Sequence, residues 1–177
     1  TAAGGTREMI DPMRCLTNLS SGKMGIAMAR ACRNAGAQVT LVHAQTTQTI
    51  PHGLHEVVYA DSTQAMYQAV HQRVADQDVF IAVAAVSDFR PKEVLSHKIK
   101  KRYGEDHESL TLELERTPDI LASVAALDDE PFCVGFAAES ERVLEYAQQK
   151  KEQKGIPLLI ANQINESVGE DISSVYI

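Results

Sequence analysis

Residues 17–25 read TNLSSGKMG. Two serines, two glycines, an asparagine and a lysine stand just ahead of a helical pattern. Small residues expose backbone N–H groups, and a helix start adds the positive end of its dipole, so the loop is suited to holding an anion. It is not a P-loop. Gly22-Lys23 is followed by Met24, and Thr17 stands five places before Gly22 where a glycine is needed. A second loop, AAGGTR at 2–7, offers Gly4 and Gly5 for close phosphate approach and the Thr6 hydroxyl, or else a tight turn. A third, AAVSDFR at 84–90, ends an apolar run. Its small residues leave room for a flat ring, and Asp88 is either a ligand acceptor or a loop cap.

Cations fall in two places. Lys98, Lys100, Lys101 and Arg102 form a basic cluster in an acidic chain, either a solvated face or a source of charge for a triphosphate. Lys150, Lys151 and Lys154 end a helical pattern, where the dipole already favours cations. The histidines, at 43, 52, 55, 71, 97 and 107, show no HxxxH or HExxH spacing, so no metal ligand is assigned. A Gly-x-Ser-x-Gly elbow is also absent.

The elements that must position these groups follow from periodicity. Residues 23–34 repeat apolar positions at helical spacing, and Gly36 stops them. Residues 38–44 and 55–60 are short β-rich runs, and 61–76 returns to a helical period. VFIAVAAV at 79–86 reads as a strand buried on both faces. Residues 110–114 alternate and predict an edge or hairpin strand. Thr117-Pro118-Asp119 predicts a helix start, with the threonine hydroxyl as cap and proline in the first turn. Residues 132–137 and 157–161 predict buried strands, 140–154 a helix, and 173–177 a last short strand. Strands alternating with helices predict an α/β fold: a Rossmann-like, mostly parallel sheet with helices on both faces, interrupted by a basic lid-like excursion around residues 90–116. Residues 1–177 read as one nucleotide-binding domain. It looks truncated at both ends, since three residues precede Gly4 and VYI closes the chain without a helix.

The chain has 177 residues and a formal net charge of −7, so it lacks a general electrostatic footprint for nucleic acid or anionic membrane. Cys15, Cys32 and Cys133 form no zinc or CxxC spacing and read as thiols of a reducing compartment. No apolar run matches a membrane span, and the expected location is the cytoplasm. A dinucleotide-dependent oxidoreductase, using NAD(P), is the alternative on such a sheet. It is disfavoured because no GxGxxG occurs and the second strand ends at His43 rather than at an acid.

The ordered set TAAGGTREMIDPMR, TNLSSGKMG, AAVSDFRP, KIKK, TPDIL, GFAAES and IAN resembles bacterial phosphopantothenoylcysteine synthetase (phosphopantothenate–cysteine ligase), along nearly the whole chain. The resemblance implies the ligase half of a bifunctional coenzyme A biosynthesis protein, fused to an FMN-containing decarboxylase. It implies a CTP- and Mg²⁺-using reaction in which the carboxylate of 4′-phosphopantothenate becomes an acyl-cytidylate and L-cysteine then displaces CMP. By position, it implies that Asn18 and Lys98 are catalytic, Asn18 on the carboxyl or acyl-cytidylate and Lys98 on the CTP phosphates. It also implies CTP binding by Gly4, Gly5, Thr6, Ala82, Val83, Ala84, Asp88, Lys98, Pro118, Asp119, Ile120, Leu121, Phe136, Lys150 and Lys154. Substrate binding falls to Asn18, Ser20, Ser21, Gly22, Ala84 and Ala85. The family resemblance further implies a homodimer whose partner helps complete the site.

Overall fold

The computed structural model describes residues 1–100, 110–163 and 174–177. The chain runs from β1 (Ala2–Ala3) into a hairpin, β2 (Arg7–Asp11) and β3 (Arg14–Thr17), and then helix α1 (Lys23–Asn34). Next come β4 (Thr40–His43), β5 (Glu56–Tyr59), α2 (Thr63–His71), a 3₁₀ turn at Val74–Asp76 and β6 (Val79–Ala82). A second hairpin-like pair, β7 (Phe89–Pro91) and β8 (Leu114–Arg116), precedes α3 (Ile120–Ala125), β9 (Phe132–Glu139), α4 (Val143–Lys154), β10 (Leu158–Gln163) and β11 (Val175–Tyr176).

Seven strands form one sheet in the order β11-β10-β9-β6-β1-β4-β5. Six are parallel, and β11 alone is antiparallel, to β10. Counted in chain order, the parallel strands lie 3-2-1-4-5-6. That is the doubly wound arrangement, and its switch point falls between β1 and β6. The expected fold class is therefore observed.

Two apolar clusters lie on opposite sheet faces. One joins Ala3, Leu41 and Val39 to Ile26 and Ala29 of α1. The other joins Ala2, Val42, Phe80 and Cys133 to Met66 and Val70 of α2, Leu121 and Val124 of α3, and Ile156. Burial of the Cys133 thiol in it pushes its pKa up, which fits an inert core thiol.

Three expectations are corrected. The strand expected at 79–86 stops at Ala82 and is not buried on both faces: Val79 is 47% exposed, and Ala82 through Val86 are half-buried. Among the described residues, α1 is the single helix packed into the cluster on its side, so the β6 end of that face lacks the cover a doubly covered strand needs. The strand expected at 110–114 lies instead at Leu114–Arg116, where it pairs with β7. The cap of α3 is Asp119, whose carboxylate accepts from the Ala122 amide at 3.0 Å, while the Thr117 hydroxyl turns away to Ser87 O at 2.5 Å. The β2–β3 hairpin was not anticipated from the sequence.

Candidate functional site

In an open doubly wound sheet, ligands lie outside the carboxyl ends of the strands at the switch point. Here that edge is made by residues 4–6 after β1 and 83–88 after β6. The two segments stay zipped for three residues. Ala85 N donates to Gly4 O at 2.8 Å, and Thr6 N donates to Ala85 O at 3.3 Å. They then part: the β1 side enters the hairpin, and the β6 side runs towards Thr117 and α3.

Close packing explains the small residues. Gly4 has φ +83°, and a Cβ there would stand 2.7 Å from Gln45 O. Gly22, the residue before α1, has φ +75°, and its Cβ would meet the Thr46 side chain and, at 3.5 Å, the Cα of Gly4. Gly25 on α1 packs directly on β1, where a Cβ would lie 2.5 Å from Ala3 Cβ. These are the three jobs of a dinucleotide fingerprint: a tight turn, a close backbone approach and helix–strand contact. In this chain the hairpin is inserted between the first and the other two, so no contiguous GxGxxG is written. β4 ends at His43, whose Nδ1 is 2.9 Å from Ala44 O, and it presents no carboxylate for a ribose.

A buried hydroxyl hub fastens the edge. Thr6 is fully buried; its hydroxyl accepts from Ser87 N at 2.9 Å and pairs with the Thr63 hydroxyl at 3.1 Å. Thr17 donates to Thr6 O at 2.7 Å, which returns the hairpin to its root. Glu8, also buried, accepts from the Thr63 amide at 2.8 Å and so caps α2 from a distance. Outside the hub, Arg7 grips Asp61 through two bonds of 2.8 Å, and Tyr59 donates to the same carboxylate at 2.8 Å. Burial would raise the Asp61 pKa, but these bonds and the Arg7 charge outweigh it and hold it below the usual carboxylate value.

Asn18 stands at the hairpin root. Its Nδ2 donates to Val86 O at 3.0 Å, so it bridges the two diverging segments of the crevice. Gly5 lies beneath it: a Cβ there would be 3.2 Å from Asn18 O and 3.4 Å from Ser20 Cβ. Ser20 and Ser21 accept from the amides of Gly22 and Lys23, both at 3.3 Å, and shape the α1 start. On the opposite segment Ala82 and Ala84 pack against the core cluster, and Val83 and Ala85 alternate with them, all four half-buried. Asp88 is exposed at its end, with its carbonyl accepting from Thr117 N at 3.1 Å.

The remaining residues separate into groups. The Cβ direction of Gly135 points at Ile156, Leu159 and Leu121. By strand alternation, Phe136 faces the opposite side of the sheet, half-buried, one step beyond the Ala82–Gly135 pair. On the α3–α4 side, Lys154 pairs with Asp119 at 2.5 Å and Lys150 with Glu139 at 2.5 Å, the latter as an ion pair outside hydrogen-bonding geometry. Burial would raise the Asp119 pKa, but the Ala122 amide and Lys154 reverse that and lower it. Ile120 and Leu121 are buried in the core, Pro118 half-buried. Lys98 is not brought to Asn18. It is exposed beside Ile99, which docks at the hairpin tip, four residues and about 13 Å along the ladder from the root. Lys101, Arg102 and His107 lie outside the described residues. Arg7, Glu8 and Asp11, which organise the site, were not singled out from the sequence; three charged residues among the five of REMID were the available signal.

The strand order and the small-residue crevice define a doubly wound α/β domain with its ligand edge at the β1–β6 switch point. The chain belongs to the family of the DNA/pantothenate metabolism flavoprotein C-terminal domain, whose model matches residues 1–177. It is 45% identical over 164 residues to the coenzyme A biosynthesis bifunctional protein CoaBC of Vibrio vulnificus strain YJ016, covering 92% of this chain and 40% of that protein. The chain thus spans about two fifths of such relatives. Among solved structures, the C-terminal domain of a CoaBC protein is 43% identical with a TM-score of 0.76, covering 91% of this chain and 74% of that one. The DNA/pantothenate metabolism flavoprotein of Streptococcus pneumoniae shares the fold, with a TM-score of 0.80 at 21% identity, over 99% of this chain and 90% of that one. The family resemblance seen in the motifs is thereby established. Among the described residues, no helix is long and apolar enough to cross a membrane.

Proposed function

We propose that this domain is the ligase of coenzyme A biosynthesis that joins 4′-phosphopantothenate to L-cysteine, using CTP. The observation that carries the reading is Asn18, which spans the crevice at the switch point with one amide proton on Val86 O. Its second proton can donate to the acyl carbonyl through activation and aminolysis, and its oxygen can accept from the incoming amine. In the first step the substrate carboxylate attacks the α-phosphorus of CTP and pyrophosphate leaves. In the second, the cysteine amine attacks the acyl carbon and CMP leaves. Catalysis of this kind rests on positioning and on charge stabilisation.

Gly4, Gly5 and the α1 start line the phosphates, Ser20, Ser21 and Gly22 shape the substrate shelf, and Ala82–Ala85 admit a flat ring. Phe136 packs against the nucleoside, and Asp88 accepts from it. Lys150 and Lys154 must exchange Glu139 and Asp119 for phosphate, which makes nucleotide affinity salt-sensitive. No group of three or more potential metal ligands occurs among the described residues. A Mg²⁺ would be held largely through the phosphate oxygens of the nucleotide and its own waters. Lys98 supports activation at the phosphates. A homodimer whose second subunit completes the crevice answers the separation of Lys98 from Asn18 within one chain. An FMN-containing decarboxylase would be the other half of a bifunctional protein, and the cytoplasm its location.

Replacing Asn18 by Asp tests the assignment. The aspartate lacks the N–H donor that polarises the acyl carbonyl for the amine, so activation should proceed while the cysteine step slows, and acyl-cytidylate should accumulate on quenched-reaction chromatography. Full turnover by Asn18→Asp would remove Asn18 from the mechanism.

A further inference from the structure

Asp11 lies at the tip of the β2–β3 hairpin and is fully buried there. One oxygen accepts from the turn amides of Met13 at 2.8 Å and Arg14 at 2.9 Å. The other accepts from the amide of Ile99 at 3.1 Å, 88 residues away. Arg14 completes the grip: its guanidinium donates to Ile99 O at 2.6 Å and stands 3.6 Å from the Asp11 carboxylate. Both polar groups of the Ile99 residue are therefore held by one ion pair, whose carboxylate is buried and whose guanidinium is exposed. A β-bulge helps. The ladder register shifts between Met9 and Asp11, which leaves Ile10 outside the pairing, and its carbonyl accepts from Leu95 N at 3.0 Å.

We infer that Asp11 is a positioning residue for the nucleotide-handling lysine: by fixing the Ile99 residue to the hairpin tip, it sets how Lys98 is presented. This rests on the reading of Lys98 given above. Ile99 is half-buried against the hairpin, whereas Lys98 and Lys100 on either side are exposed, so pinning Ile99 turns both lysines outward. The rest of the 93–98 strap is exposed, so a few bonds at the tip define its path. The carboxylate is suited to the task because it accepts on two oxygens at once. Burial would raise its pKa, but the amides of Ile99, Met13 and Arg14 reverse that and lower it, keeping Asp11 charged at neutral pH.

Asp11→Asn separates the two duties. The side-chain oxygen can keep the turn amides, while the new NH₂ faces the Ile99 amide donor to donor. Trypsin cleavage after Lys98 and Lys100, followed by mass spectrometry under native conditions, should accelerate roughly tenfold. Cleavage after Arg30, in the body of α1 and so dependent on opening of that helix, should keep the parent rate. Unchanged cleavage after Lys98 and Lys100 would overturn the anchor. CTP-dependent pyrophosphate release gives the second arm. Asp11→Asn should raise the CTP KM roughly tenfold and add nothing further in a Lys98→Gln background. Multiplicative losses in the double variant would overturn the route through Lys98. If Lys98→Gln leaves CTP turnover intact, the reading of Lys98 fails, and the proteolysis arm alone decides the anchor.

Discussion

The two ends of the β2–β3 hairpin are built differently. At the root, Thr6, Glu8, Thr17, Thr63 and Ser87 interlock through several buried hydrogen bonds, next to glycines with no room for a side chain. At the tip, one carboxylate and one guanidinium hold the Ile99 residue, in an otherwise exposed strap. The root is over-determined and the tip is not. Substitutions at the root should therefore cost stability, and substitutions at the tip should cost presentation of Lys98 with little loss of stability.

The contrast breaks most visibly at Gly4. Gly4→Val places a branched side chain at φ +83° against Gln45 O, and should lose about 3 kcal/mol or more of unfolding free energy in urea. Thr6→Val keeps the volume but strands the Ser87 amide inside the fold, at a cost of about 2 kcal/mol by the same measurement. Arg7→Gln removes a half-exposed bidentate pair, and should cost about 1 kcal/mol after allowing for solvent screening. Asp61 has a folded pKa below its ordinary 3.8, so its stabilisation is full above that value and is lost as pH falls through the folded value. The gap between Arg7→Gln and the parent should be constant near neutrality and close in acid. Lys92→Gln, which loses an exposed pair with Glu113, should stay within about 0.5 kcal/mol of the parent. If Thr6→Val falls as close to the parent as Lys92→Gln, the root is not over-determined.

Much of this was legible in the sequence. The apolar run at 132–137 and the helical stripe at 23–34 each became an element, because core burial enforces periodicity. The site was harder to read. Gly22 and Gly25 do fingerprint work only because the hairpin brings them back to β1, and a search for contiguous spacing cannot see through an eleven-residue insertion, 7–17. The Thr117 hydroxyl looked like a helix cap from local pattern, yet Ser87 O competes for it across 30 residues. Asn18 was reached through family resemblance. Its bridge to Val86 joins segments 68 residues apart, and no local rule contains it.

The most direct test of the ligase reading is pyrophosphate release by the purified protein, with CTP or ATP and with or without 4′-phosphopantothenate. Release is expected from CTP only when 4′-phosphopantothenate is present, with ATP a poor substitute. Equal release from ATP would contradict the nucleotide assignment, and release from CTP that ignores 4′-phosphopantothenate would contradict the ligase itself.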